Sequence, residues 1–102
     1  MCGISGYIGG KNISSSTKHL LFSLMKNRGP DSNGYKKIIN KKSSTHFFFT
    51  RLSILDVKKN SNQPFVYKDK TLIFNGEIYN FIEIKEKLKL QGYKFTTNGD
   101  TE

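Results

Sequence analysis

The sequence predicts an α+β fold, and three observations carry that reading. Two segments, one from Thr17 to about Asn27 and one from Asn80 to Gly92, place apolar residues at helical spacing. About six other segments alternate in hydropathy or are rich in β-branched and aromatic residues. Clusters of Gly, Pro, Asn, Asp and Ser separate these segments. At 102 residues the chain is at most one domain, and chains of this size bury roughly 60–68% of their unfolded surface. An apolar content of 35% is modest, but eight Phe and five Tyr argue for a packed interior.

Residues 2–8 are the first strand. Cys2, Ile4, Gly6 and Ile8 fall on one face, Gly3, Ser5 and Tyr7 on the other. The glycines at 3, 6, 9 and 10 do not form a phosphate loop, because neither GxGxxG nor a following Gly-Lys-Ser/Thr is present. Lys11 to Ser16 is a polar loop. Thr17 is the expected cap of the first helix, with Leu20, Leu21, Leu24 and Met25 as its apolar stripe and Gly29-Pro30 as its stop. Asp31-Ser32-Asn33-Gly34 has turn chemistry. Tyr35 to Asn40 and Thr45 to Leu55 read as strands joined by a hairpin loop. Arg51 interrupts the second of these; an arginine among so many apolar residues must reach solvent, pair with an acid or hold an anion.

Gln63-Pro64 opens an extended segment through Tyr67, Lys68 to Lys70 turns, and Thr71 to Phe74 is a further strand. Asn75-Gly76 after that strand is a strong hairpin signal, of type I′. Asn80 to Glu83 has the form of a capping box. The helix it opens turns Phe81, Ile84 and Leu88 inward and a Glu83–Lys87 pair outward, and Gly92 ends it. Tyr93 to Thr97 is a short last strand.

The net charge of +9 raises the question of nucleic acid. Fifteen of the seventeen basic residues are lysine and they are scattered, whereas phosphate clamps favour arginine, so a nucleic-acid partner is not expected. No apolar run approaches the roughly 18 residues of a membrane span, and no secretory signal is visible. The single cysteine excludes an internal disulfide framework and suits a reducing cytoplasm. Its position matters more. A small residue after the initiator methionine normally lets that methionine be trimmed. Cys2 would then carry a thiol titrating near about 8.5 beside its own α-amine at about 7.7–8.0, a nucleophile with a base attached.

Six stretches follow one another in the chain: Cys2-Gly3-Ile4-Ser5-Gly6, Arg28-Gly29-Pro30-Asp31-Ser32, Arg51-Leu52-Ser53-Ile54-Leu55-Asp56, Gln63-Pro64, Asn75-Gly76-Glu77-Ile78-Tyr79-Asn80 and Gly99-Asp100-Thr101-Glu102. Each is weak by itself; in this order they resemble the glutaminase domain of class II glutamine amidotransferases. The wording around Arg51, Gln63 and Asn75 is most similar to the version in glutamine-hydrolysing asparagine synthetase. The resemblance implies an N-terminal-nucleophile hydrolase, an α-β-β-α sandwich of stacked antiparallel sheets, and hydrolysis of the glutamine side-chain amide through a Cys2 thioester.

By the same resemblance, Asn75 and the Gly76 N–H form the oxyanion hole. Arg51 clasps the substrate α-carboxylate, Asp100 holds the α-ammonium, Glu77 adds a supporting polar contact, and the backbone near Ile54 and Leu55 lines the site. Arg28 and Asp31 shape loops. No metal or cofactor is expected for this step. ATP and magnesium belong to a synthetase domain whose Ser-Gly-Gly-x-Asp-Ser loop is not in this sequence, and that domain or chain is the expected partner. Two positions depart from the pattern. Phe49 stands where many relatives have histidine, and His46 would not replace it without a register shift; Gly99 stands where serine is common. Residues 1–102 match only about the first half of such a domain, so a truncated frame, a split gene or a fragment is expected.

Overall fold

The computed structural model describes residues 1–54, 56 and 58–102. The described residues form strands β1 (Gly3–Gly9), β2 (Ser32–Ile39), β3 (Ser44–Arg51), β4 (Phe65–Tyr67) and β5 (Lys70–Leu72), helices α1 (Ser15–Met25) and α2 (Phe81–Leu90), and a 3-10 turn at Lys59–Ser61. One antiparallel sheet has the order β1-β3-β2, and β4 and β5 form a separate antiparallel pair. The architecture is α+β.

β3 is the centre of the larger sheet. Its run of aromatic and β-branched residues suits a strand covered on both sides. It pairs with β1 from Gly3↔Thr50 to Gly9↔Ser44, and with β2 from Ser32↔Arg51 to Ile39↔Ser44. Alternation then sends His46, Phe48 and Thr50 toward α1, and Phe47, Phe49 and Arg51 to the opposite face. Phe48 and Phe49 are 0% and 1% exposed and are the two fully buried apolar side chains among the described residues. Phe48 takes Phe22 of α1 edge-on at 5.6 Å and Tyr35 of β2 at 5.0 Å. The Thr50 hydroxyl donates to the Met25 carbonyl at 3.1 Å, and a side chain at Gly29 would place its Cβ 2.3 Å from the Thr50 carbonyl. The last turn of α1 and the chain leaving it therefore lie directly on β3.

The structure moves several local expectations. The α1 cap is Ser14, whose Oγ accepts from the Thr17 N–H at 3.1 Å. Leu20 and Leu24 are 59% and 70% exposed, because the face on the sheet is Lys18, Leu21, Phe22 and Met25, at i, i+3, i+4 and i+7. Lys18 belongs to it through its ammonium, 4.2 Å above the Tyr35 ring. Ser32 to Gly34 form no turn; β2 starts at Ser32 because β3 supplies a ladder partner for each of them. Asn75-Gly76 is not a type I′ turn: among the described residues positive φ occurs only at Asp56, Lys68 and Gly92, and that turn needs it at both central positions.

Asn80 occupies the cap position of α2 without a side-chain cap bond, and the helix's ion pair is Glu86–Lys89 at 2.7 Å rather than Glu83–Lys87. Gly92, at φ 93°, does end α2. Its N–H and that of Tyr93 reach back to the carbonyls of Lys89 and Leu88 at 2.9 and 3.1 Å, the paired bonds of a Schellman motif. Tyr93 to Thr97 form no strand. Glu102 serves that segment instead, accepting from the backbone N–H and the hydroxyl of both Thr96 and Thr97.

Candidate active site

A cavity of about 330 Å³ opens on the face of the sheet away from α1, and Cys2, Arg51, Ile54, Asn75, Gly76, Glu77 and Asp100 all line it. These are the residues singled out in the sequence, except Leu55, which lies outside the described residues. They converge from positions up to 98 residues apart because three parts of the chain meet there: the open end of the β1–β3 ladder, the segment after β5, and the segment after α2.

Cys2 continues the alternation of β1. Gly3 opposes Thr50 and Ile4 opposes Phe49, so residue 2 projects to the face of Phe49 and Arg51. The Leu52 N–H donates to the half-buried Cys2 sulfur at 3.4 Å, and the thiol lies 3.7 Å from the Leu52 carbonyl. The Arg28 Nε donates to the Cys2 carbonyl at 3.2 Å. Asp31 accepts from the Ser53 N–H at 2.7 Å. Arg28 and Asp31 thus hold the backbone on either side of the thiol from outside the cavity.

Arg51 ends β3 and is 6% exposed. Its Nη1 donates to the Lys58 carbonyl at 3.1 Å and to Asn62 Oδ1 at 2.7 Å, and its Nη2 donates to the Asp56 carbonyl. A buried guanidinium needs such acceptors, and here the loop after β3 curls round to provide them. The Asp56 carboxylate faces the other way. Its Oδ2 accepts from the Ser61 hydroxyl and the Asn98 N–H, both at 2.6 Å, and its Oδ1 from the Lys58 N–H at 3.2 Å. These bonds, that from Ser61 foremost, hold the carboxyl down at about 2.

The opposite wall is loop. Asn75, Gly76 and Glu77 follow the exit from β5, and Gln63 fixes that exit: its Oε1 accepts from the Phe74 N–H at 2.5 Å and its Nε2 donates to Thr101 Oγ1 at 3.2 Å. A Cβ at position 76 would come 2.8 Å from the Phe74 ring, so a larger residue there would have to displace that ring. Asp100 Oδ2 accepts from the Ile78 N–H at 3.0 Å, which binds the second and third segments to each other. For Glu102, burial raises the carboxyl but the bonds from Thr97 and Thr96 outweigh it, and the net direction is down.

Gln63, Ser61, Thr97 and Thr101 also line the cavity and were not singled out as site residues from the sequence. Gln63-Pro64 stood out only as a motif; polar residues without charge or periodicity give no other signal. Phe49 lines the cavity where relatives were expected to have histidine. His46 does not stand in for it. It faces α1, pairs with Tyr7 and Lys37 at the far end of β3, and its ring nitrogens meet the Tyr35 hydroxyl at 2.8 Å and the Ser44 hydroxyl at 2.9 Å. Burial first, then Lys37 and Lys18, push its pKa below 6.5. No group of three or more His, Cys, Asp or Glu among the described residues is arranged to hold a metal, and no described helix is long and apolar enough to cross a membrane.

The cavity offers a thiol, an arginine, a side-chain amide and a carboxylate around one space, which suits a zwitterionic amide substrate. Comparison with known proteins points the same way. The sequence is 52% identical over 77 residues to asparagine synthetase [glutamine-hydrolyzing] 1 of Bacillus subtilis, covering 74% of this chain and 11% of that protein. It is 34% identical over its full length to putative asparagine synthetase [glutamine-hydrolyzing] 2 of Methanocaldococcus jannaschii, covering 22% of that protein. It is 37% identical over its full length to asparagine synthetase [glutamine-hydrolyzing] 2 of Bacillus subtilis, covering 14% of it. The chain thus spans between 11% and 22% of the length of these relatives. No solved structure matches. The glutamine amidotransferase domain model matches residues 1–102, and the chain belongs to that family.

Proposed function

We propose that this chain carries the glutamine-hydrolysing step of an asparagine synthetase-like enzyme, with Cys2 as nucleophile. The observation that carries the reading is the convergence of Cys2, Arg51, Asn75, Gly76 and Asp100 on one cavity. Arg51 takes the substrate α-carboxylate, for which its planar fork is suited, and Asp100 takes the α-ammonium, with Glu77 in support. Ile54 lines the same pocket, while Leu55, its expected companion, lies outside the described residues. The carboxamide carbon then lies before the thiol.

The Cys2 sulfur attacks that carbon. The thiol proton passes through the Cys2 α-amine to the leaving nitrogen, the C–N bond breaks, and ammonia departs. A water molecule hydrolyses the thioester, releasing glutamate and restoring the thiol. The Asn75 side-chain amide and the Gly76 N–H stabilise the oxyanion in both steps. The α-amine is available only once Met1 is removed; Met1 itself lines the cavity, so its removal also clears space there.

The step uses no metal or cofactor. The ammonia goes to an ATP- and magnesium-dependent synthetase domain or chain, and the enzyme is cytoplasmic. Residues 1–102 are the N-terminal part of an N-terminal-nucleophile α-β-β-α sandwich. The exposed Ile4 and Ile8, on the same sheet face as the cavity, support a second layer there.

The test is intact-mass analysis after treatment with a glutamine-shaped electrophile. One adduct on Cys2 is expected, competed by glutamine, and Cys2→Ala abolishes both it and glutamate release, at least about a thousandfold. Retention of Met1 with no adduct would overturn the reading.

A further inference from the structure

Resting on that reading, we infer that Asp56 is a positioning residue that sets the distance between the two groups gripping the substrate's α-carbon. Its backbone carbonyl accepts from the Arg51 guanidinium, while its carboxylate accepts from the Asn98 N–H at 2.6 Å, two residues before Asp100. One residue is therefore bonded to both clasps: directly to the arginine that takes the carboxylate, and through Asn98-Gly99 to the acid that takes the ammonium. Gly99 stays close to it, since a Cβ there would lie 3.9 Å from the Asp56 Cβ.

Three features fit this role better than simple loop closure. The bonds at the carboxylate from the Ser61 hydroxyl and the Lys58 N–H set its orientation within its own loop, so Asn98 meets an oriented acceptor. Asp56 holds φ at 45°, the left-handed region, which turns its carbonyl to the arginine while its side chain faces away. The segment carrying Asp100 has a second anchor, Glu102 on Thr96 and Thr97, whose route to the Arg51 loop is indirect, through the Thr96 carbonyl that accepts from Asn60 Nδ2 at 2.7 Å. Asp56 accepts from the Arg51 guanidinium itself, whereas Glu102 meets the Arg51 loop only by way of Thr96 and Asn60 among the described residues.

The experiment compares wild type, Asp56→Ala, Asp56→Asn and Glu102→Ala. Cys2 is alkylated by a glutamine-shaped chloroketone, its thiolate displacing chloride, and in parallel by iodoacetamide, which carries neither α-group. In Asp56→Ala the half-saturating chloroketone concentration rises about tenfold or more while the limiting rate and the iodoacetamide rate stay within about twofold, a loss confined to binding. Asp56→Asn, which keeps an acceptor for Asn98, recovers most of the affinity. Glu102→Ala lowers the melting temperature but shifts half-saturation by less than about threefold.

Should Asp56→Ala not fold, Ser61→Ala, which removes one orienting bond, takes its place with an expected rise of about threefold. Equal shifts in the Asp56 and Glu102 variants, or no shift in the Asp56 variant, overturn the inference while leaving the glutaminase reading intact. Absence of saturation in wild type overturns both.

Discussion

Cys2 and Arg51 reach the cavity from a sheet; Asn75, Gly76 and Asp100 reach it from irregular chain. The sheet wall is fixed by two antiparallel ladders and by Phe48 and Phe49, buried on opposite faces of one strand. The loop wall has no ladder. It is held by individual polar groups: Gln63 between the Phe74 N–H and Thr101, Asp100 on the Ile78 N–H, Glu102 on two threonines, Asp56 on Asn98. Apolar burial is non-directional and spread over many atoms, whereas a hydrogen bond to a carboxylate depends on one charge and one geometry. The same site is thus built from a wall sensitive to volume and a wall sensitive to protonation and single-atom changes.

Removing volume from the sheet wall is expected to do the most damage. Phe48→Ala deletes the ring that meets Phe22 and Tyr35 and should cost about 3–5 kcal/mol, much of a small domain's stability, measured by urea unfolding. A loss from Gln63→Ala at the upper end of that range would break the contrast, because its two neutral bonds, at about 0.5–1.5 kcal/mol each, should cost less.

The pH dependence separates the walls next. His46 supports the sheet wall in its neutral form and its folded pKa lies below the ordinary 6.5. Its contribution is therefore complete above 6.5 and is lost as pH falls through the lowered value. Asp56 is depressed from 3.8 to about 2, so its contribution is complete above 3.8 and is lost only as pH falls toward about 2. Glu102, lowered as well, acts in the same direction from its ordinary 4.5 downward. Melting temperature against pH should show two separate declines, the upper one removed by His46→Gln and the lower one flattened by Asp56→Asn.

The smallest effect is expected at position 99. The added Cβ would meet only ordinary contact with Asp56 and φ there is not positive, so Gly99→Ser should stabilise the loop wall by up to about 1 kcal/mol through the unfolded chain. Destabilisation in a thermal melt would show that the segment needs glycine's freedom.

Most of the sheet was legible in the sequence, and so were several residues that line the cavity, for different reasons. Residues 2–8 alternate, which gave β1 and put Cys2 on one face with Ile4, Gly6 and Ile8, while the direction of that face follows only from the pairing with β3. The hairpin of β2 and β3 announced itself by composition, but not its start: Ser32 to Gly34 carry turn chemistry and become strand only because β3 offers partners. The face of α1 was half misread, since Leu20 and Leu24 fit a helical stripe as well as Phe22 does and only contact with Phe48 decides between them. Tyr93 to Thr97 shows the opposite failure, β-forming residues with a carboxylate in place of a neighbouring strand. The site residues were readable as motifs, not as geometry. Nothing local in Asp56 or Gln63 tells that each joins segments distant in sequence, because such bonds depend on the tertiary fold.

The register of β1 on β3 also governs which changes of length this chain tolerates. Side chains alternate with a period of two, so one residue inserted between Gly3 and Gly9 would either break the ladder or turn the thiol toward α1. The loop at the other end of β3, where the Asn40 N–H meets the Ser43 carbonyl at 2.8 Å, carries no such constraint. There the chain can lengthen for only about 0.6 kcal/mol per doubling of the loop, so inserted sequence, a tag or a label belongs at residues 40–43.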